Sequence, residues 1–176
     1  MNQDITARIR KIKVLVLDVD GVLTNGQIIL DQKGNEIKVF DVQDGFGIVL
    51  FKKCGYRTAI ISARSAQAVA ARAEDLKIDH VYQNAYPKID ALHQLLHEFE
   101  ITNEEVCFMG DDLPDLGVLK NVGFAVTVPN GVPELKKIAH YVTNKEGGRG
   151  AVREIIELIL KTKGEWEQAL VTHNLI

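Results

Sequence analysis

Cysteine is scarce: Cys54 and Cys107 are the only two among 176 residues, and they share no motif spacing. That excludes a disulfide framework and a Cys-based zinc module, and it suits a reducing compartment holding two buried thiols. Long apolar runs are also missing. No segment approaches the ~18 apolar residues of a membrane span, and Met1–Arg10 has no apolar signal core. Nor is there a surplus of positive charge. The formal net charge of −3 gives no general attraction to nucleic acid or to an anionic membrane surface. Repeats, low-complexity tracts and linkers are absent, so no domain boundary is drawn. With 46% hydrophobic and 26% charged residues, the chain can build a core as a soluble globular protein. The expectation is a cytoplasmic, single-domain protein (residues 1–176) without a nucleic-acid or membrane partner.

Short apolar runs alternate with helical patterns. The runs are Lys13–Leu17, Thr58–Ile61, Val81–Tyr82, Val106–Met109, Phe124–Val128 and Tyr141–Val142. Between them, Gly45–Cys54, Ser65–Leu76, Lys88–Phe99, Leu113–Lys120, Pro133–Ala139 and Ala151–Lys161 carry apolar residues at helical spacing. Buried, nonalternating strands between helices predict an α/β, three-layer, doubly wound parallel sheet of Rossmann-like type. Thr102 and Glu105 have capping-box spacing, but the strand that follows leaves room only for a turn. Gln27–Leu30 and Glu36–Phe40 flank DQKGN and predict a small β-hairpin flap, about residues 24–43. It is too small to hold its own core. Ser65 to Lys88 is equally short, so no cap domain fits and a site must stay open or be covered by something else. The core spans about 12–161; the tail 162–176, with Trp166, is unassigned.

The polar residues of interest follow the apolar runs. LVLDVDGVLTNG places Asp18 and Asp20 at the end of the first. Residues i and i+2 of a strand share a face, and two carboxylates at ~4 Å repel by roughly 1 kcal/mol even in water. A cation, a shared proton or chemistry must offset that. Ser62 and Arg64 end the second run, Lys88 opens the helix after the third, and Asp111, Asp112 and Asp115 follow VCFMG. Doubly wound sheets bind ligands outside the carboxyl ends of their strands, so one crevice collects five carboxylates, a hydroxyl and two cations. Carboxylates suit Mg²⁺, and Ser, Lys and backbone amides suit a phosphate dianion. Read singly, each element has an ordinary explanation: GDDLPD as an Asx turn, Lys88 as a solvated lysine. Their ordered recurrence after successive strands makes sense as phosphoryl transfer to a carboxylate, with a second acid protonating the leaving oxygen.

Other motifs fail. DGFGIV lacks the third glycine of a dinucleotide loop, and GGRGAV lacks the Lys-Ser/Thr of a P-loop. His93 and His97 at i, i+4 have no following Glu and fit an exposed helix face.

LDVDGVLT, Ser62, Lys88 and GDDLPD together resemble the four ordered motifs of the haloacid dehalogenase superfamily, over about Ile12 to Lys161. FDVQDGFGI, ISARS, VYQN and NKEGGRGAVREIIELIL resemble its capless branch, the 3-deoxy-D-manno-octulosonate 8-phosphate phosphatases of lipopolysaccharide precursor synthesis. The resemblance implies Asp18 as nucleophile and Asp20 as general acid/base. It implies Mg²⁺ held by the Asp18 carboxylate, the Asp20 main-chain oxygen and Asp111, with Asp112 and Asp115 orienting waters and Lys88. Ser62 and Lys88 would hold phosphate, and Arg64 and Arg149 would meet an anionic sugar. It further implies a homotetramer assembled through the hairpin, with Gly147–Gly150 reaching over a neighbour's site as the missing cover. The chain departs from the family at Gln43, where Arg is usual, at Ala63 within Ser-Ala-Arg, and at Asn84, where Gly is usual. Gln43 bears on which sugar is taken. Alternatives are a nine-carbon acid-sugar 9-phosphate, another sugar phosphate, a large phosphorylated polymer, a receiver-like phospho-accepting module, or a noncatalytic scaffold.

Overall fold

A computed structural model of the protein describes residues 3–176. The chain opens with helix α1 (Gln3–Lys11), enters strand β1 (Val14–Leu17), and crosses a hairpin of β2 (Ile29–Leu30) and β3 (Glu36–Ile37). Next come α2 (Val42–Lys53), β4 (Arg57–Ile61), α3 (Gln67–Asp75), β5 (His80–Tyr82), α4 (Lys88–Phe99) and β6 (Val106–Gly110). The remainder is α5 (Leu116–Leu119), β7 (Phe124–Thr127), α6 (Pro133–Ile138), β8 (Tyr141–Val142), α7 (Ala151–Lys163) and α8 (Trp166–Thr172).

Six strands form one parallel sheet in the order β5-β4-β1-β6-β7-β8. Both faces are covered, which explains why the strands read as unbroken apolar runs. On one face Leu15 and Leu17 pack with Ile48 and Phe51 of α2, Val69 of α3, and Ile155 and Ile159 of α7. On the other, Val14 and Val16 pack with Leu92 and Leu95 of α4, Val118 of α5 and Leu135 of α6. Full burial of each such side chain stabilises by roughly 1.5–3 kcal/mol. The chain leaves β1 toward β4 on one side and returns to β6 on the other. The crevice where the strand order reverses therefore lies beyond the carboxyl ends of β1, β4 and β6.

The doubly wound three-layer architecture matches expectation, and among the described residues the chain between β1 and α2 holds the short hairpin and that between β4 and α4 holds α3 and β5. Several details differ. The segment Leu113–Lys120 is a 3₁₀ turn, Leu113–Asp115, running into the short α5. The second helix starts three residues earlier than its apolar pattern, because Asp41 accepts bonds from the amides of Gln43 and Asp44. Asn103–Glu105 forms the expected turn, with both capping-box bonds present. Cys107 is buried, but Cys54 is only partly so, which corrects the pairing of two buried thiols. α1 and α8 were not foreseen; α1 is charge-rich and fully buries only Ile9. The hairpin is pinned by Asp31, whose Oδ1 accepts the amides of Lys33 and Asn35, 2.8 Å each. Asn84 has φ +56°. This is a left-handed conformation that Asn tolerates better than most residues, so the exchange for Gly costs little there.

Candidate active site

β1 delivers Asp18 into the crevice, and the backbone then turns sharply. The Thr24 amide donates to the Val19 carbonyl (3.0 Å), while Gly21 adopts φ +92°. The Thr24 hydroxyl stitches this turn, accepting from the amides of Gly21 (3.4 Å) and Gly26 (3.2 Å) and donating to Val19 (3.3 Å). Glycine is required at position 21 twice over. Its φ disfavours other residues, and a Cβ would meet Asp111 Oδ2 at 1.9 Å.

Lys88 is the centre of the buried charges. Its Nζ lies 2.7 Å from Asp18 Oδ1 and 2.6 Å from Asp115 Oδ1. Burial alone would push the ammonium down, but Asp18 and Asp115 outweigh it and hold it above the usual lysine range. Asp115 Oδ2 accepts the amides of Asp111 (3.0 Å) and Asp112 (3.2 Å), which commits both of its oxygens. Asp112 sits exposed on the rim and caps the 3₁₀ turn through the Leu113 amide (2.8 Å). Ser62, nearly buried at the end of β4, accepts the Arg64 amide on its hydroxyl (3.3 Å).

Oxygens of Asp18, Asp111 and Asp115 lie within 4.8 Å of one another. Of the three, Asp111 has a buried oxygen, Oδ1, with no hydrogen-bond partner. Such an orphan costs about 1–3 kcal/mol or more unless something occupies it. Burial raises Asp18 to about 7, Asp115 adding repulsion, and raises Asp111 to about 8, with Asp18, Asp115 and Asp112 adding theirs. The donor set is hard and anionic, so a divalent oxygen-seeking cation fits it. Of the three carboxylates, Asp18 and Asp111 are the ones that would hold an ion, because both oxygens of Asp115 are already hydrogen-bonded.

Asp18, Asp20, Ser62, Arg64, Lys88, Asp111, Asp112 and Asp115 all line one cavity of about 220 Å³. That is below the ~300–1,000 Å³ of pockets that enclose whole ligands. A phosphate fits; an attached sugar must extend outward. Gln43 and Arg149 do not line this cavity. Gln43 lies near Gly150 instead, and Arg149 is 70% exposed beside Glu146. Gly147 and Gly148 pack against the chain's own site turn: the Gly148 amide donates to the Val22 carbonyl (2.8 Å), and a Cβ on Gly147 would strike the Gly21 carbonyl at 1.7 Å.

Sequence reasoning missed three contributors. Asp44, almost fully buried, accepts the amides of Gly150 (3.2 Å) and Arg153 (2.8 Å) and so anchors the start of α7. Burial lifts it to about 6. Its only sequence signal was an acid in the first turn of a helix, where a favourable helix dipole is the ordinary explanation. Lys38 and Glu36 reach the site from the hairpin, a nonlocal contact with no signature in the chain: Lys38 donates to Asp20.

A haloacid dehalogenase-like hydrolase model matches residues 70–156. The 3-deoxy-D-manno-octulosonate 8-phosphate phosphatase of Yersinia pestis is 42% identical over 166 residues, covering 94% of this chain and 89% of that one. Its counterpart from Escherichia coli K12 is 41% identical over 169 residues, covering 96% and 90%. Among solved structures, the phosphatase of that name from Moraxella catarrhalis, in complex with magnesium ion, phosphate ion and KDO, superposes with a TM-score of 0.95. It is 40% identical, with 98% and 99% of the two chains covered. A cobalt-bound phosphatase of the same kind from Haemophilus influenzae gives 0.89 at 31% identity, with 93% and 99% covered. With this site geometry and relatives of this closeness, the chain belongs to the haloacid dehalogenase-like hydrolases, in the family of the 3-deoxy-D-manno-octulosonate 8-phosphate phosphatases.

Proposed function

We propose that the protein is a Mg²⁺-dependent phosphomonoesterase that hydrolyses 3-deoxy-D-manno-octulosonate 8-phosphate to the free sugar acid and inorganic phosphate. The observation that carries this reading is Lys88 bridging Asp18 and Asp115 beside the unpartnered oxygen of Asp111. The magnesium, phosphate and KDO in the Moraxella catarrhalis structure support the choice of cofactor and substrate.

Asp18 attacks phosphorus and forms an aspartyl-phosphate as the bond to the sugar oxygen breaks. Asp20, two residues on, gives that oxygen its proton, and later takes a proton from the water that attacks phosphorus and releases Asp18. Lys88 and the Ser62 hydroxyl hold the phosphoryl oxygens, while Asp115 fixes Lys88 and the loop amides of Asp111 and Asp112. Bound Mg²⁺ supplies the positive charge that makes attack by one anion on another feasible. Asp112 orders water at the rim.

Arg64, half exposed at the mouth, is the cation placed to meet the sugar acid. Ile28, Leu30, Ile37 and Val39 of the hairpin region and Val42 beyond it are exposed apolar residues. They suit assembly into a homotetramer, in which the neighbour covers the open site and Arg149 and Gln43 meet the sugar there. The enzyme acts in the cytoplasm as one domain spanning residues 1–176. Phosphate release by Asp18→Asn tests the covalent step: turnover should vanish, since the uncatalysed reaction needs up to ~10²¹-fold acceleration. Substantial turnover in that variant contradicts the mechanism.

A further inference from the structure

The hairpin carries two charges for which the reaction above has no use, Lys38 and Glu36, and they close a ring with Asp20 and Arg64. Lys38 buries its side chain to 2% exposure and donates to Asp20 Oδ1 and to Glu36 Oε1, the latter at 2.6 Å. Arg64 closes the ring, with Nε 3.5 Å from Asp20 Oδ2 and Nη2 3.2 Å from Glu36 Oε2. A surface lysine normally keeps its head in water, and its ion pairs contribute little. An ammonium drawn out of water is costly unless well-placed partners hold it. Here two carboxylates and two cations alternate, so Lys38 brings orientation without adding net charge to the site.

The arrangement is asymmetric about Asp20. Lys38 occupies Oδ1, while Oδ2 is left on the side of Arg64, which lines the cavity. The Asp20 backbone sits in an irregular turn (φ −77°, ψ 112°) just before the left-handed Gly21, so main-chain regularity does not fix the carboxylate. We propose that Lys38 is a positioning residue for Asp20: by holding Oδ1 it turns Oδ2 toward the leaving oxygen and then the attacking water, and Glu36 fixes Lys38 in turn. The hairpin thereby sets the placement of the acid. This rests on the reading of Asp20 as general acid/base.

A salt bridge that merely pinned the hairpin would lower activity on every ester alike. Misplacing a proton donor costs most where the leaving group needs the proton. The test is kcat/KM with saturating Mg²⁺ across substituted phenyl phosphates, which lack a sugar. Wild type, Lys38→Met, Lys38→Arg, Glu36→Gln and Asp20→Asn are compared, with thermal unfolding to verify folding. Lys38→Met should lose ~10-fold or more on phenyl phosphate but less than ~3-fold on 4-nitrophenyl phosphate, following Asp20→Asn in direction. Lys38→Arg should restore part of the loss, and Glu36→Gln should show the same leaving-group dependence more weakly. An equal loss on both esters in Lys38→Met, with Asp20→Asn still leaving-group dependent, overturns the role of Lys38 alone. A flat Asp20→Asn series removes the acid itself, and the inference with it.

Discussion

Gly21 and Asp111 stand so close that no side chain can be added between them: a Cβ on Gly21 would lie 1.9 Å from Asp111 Oδ2. The turn that follows Asp18 and the Asp111 carboxylate thus define each other's place. Gly21→Ala should fold, since the clash is local and one partner is a side chain, but Asp111 must move. Mg²⁺ affinity measured by calorimetry should drop, and kcat/KM should fall on the order of 10²-fold. Unchanged affinity would show that Asp111 does not need its present position.

The buried acids make cation binding and stability depend on pH. Asp18 and Asp111 are raised from 3.8 to about 7 and about 8, burial first and neighbouring carboxylates second. A raised folded-state value means stability is fully present below ~4 and lost as pH rises through 7 and 8. In metal-free protein, Asp111→Asn should therefore raise Tm at pH 8, by a margin equivalent to 1 kcal/mol or more, and the gain should vanish near pH 4. Mg²⁺ must displace these protons, so wild-type affinity should rise between pH 6 and pH 8. A Tm difference independent of pH contradicts this assignment.

Asp44 ties the Gly-rich segment to α2 through the amides of Gly150 and Arg153. Asp44→Ala should cost about 1–2 kcal/mol in unfolding free energy, as lost caps do. Hydrogen exchange should rise at residues 145–153 rather than across the sheet. Uniform exchange would mean that the carboxylate only fills space.

Much of this was legible in the chain because it is local. Each main-sheet strand announced itself as an apolar run; Asp18, Ser62 and Asp111 follow strands directly and Lys88 opens the helix after β5, so topology gathers them into one crevice. What was hidden depends on contacts distant in sequence. Lys38 reads as a solvated lysine of a hairpin until the hairpin folds back over Asp20. α1 was obscured by its charged residues, since only Ile9 is fully buried in it. The Gly-rich segment was assigned to a neighbour's site, yet Gly147 and Gly148 also support the chain's own Gly21–Asn25 turn. That packing joins residues more than 100 positions apart, so composition does not reveal it.

The hairpin's exposed apolar residues give the assembly its test. Leu30 is 61% and Val39 62% exposed in the single chain. Leu30→Glu with Val39→Glu should convert a tetramer to smaller species by light scattering, leaving the unfolding transition of the core within about 0.5 kcal/mol. A wild-type chain already monomeric at micromolar concentration would refute the neighbour-covered site.

The central claim concerns substrate and cofactor together, and one measurement reaches both: kcat/KM for phosphate release across a panel of phosphate esters, with Mg²⁺ and with chelator. The panel should include 3-deoxy-D-manno-octulosonate 8-phosphate, a nine-carbon acid-sugar 9-phosphate, neutral hexose phosphates and a phosphorylated polymer. The expected result is a clear preference for the eight-carbon acid sugar that disappears on chelation and returns with Mg²⁺. Equal rates across the panel, a preference for the nine-carbon ester, or turnover that survives chelation would contradict it.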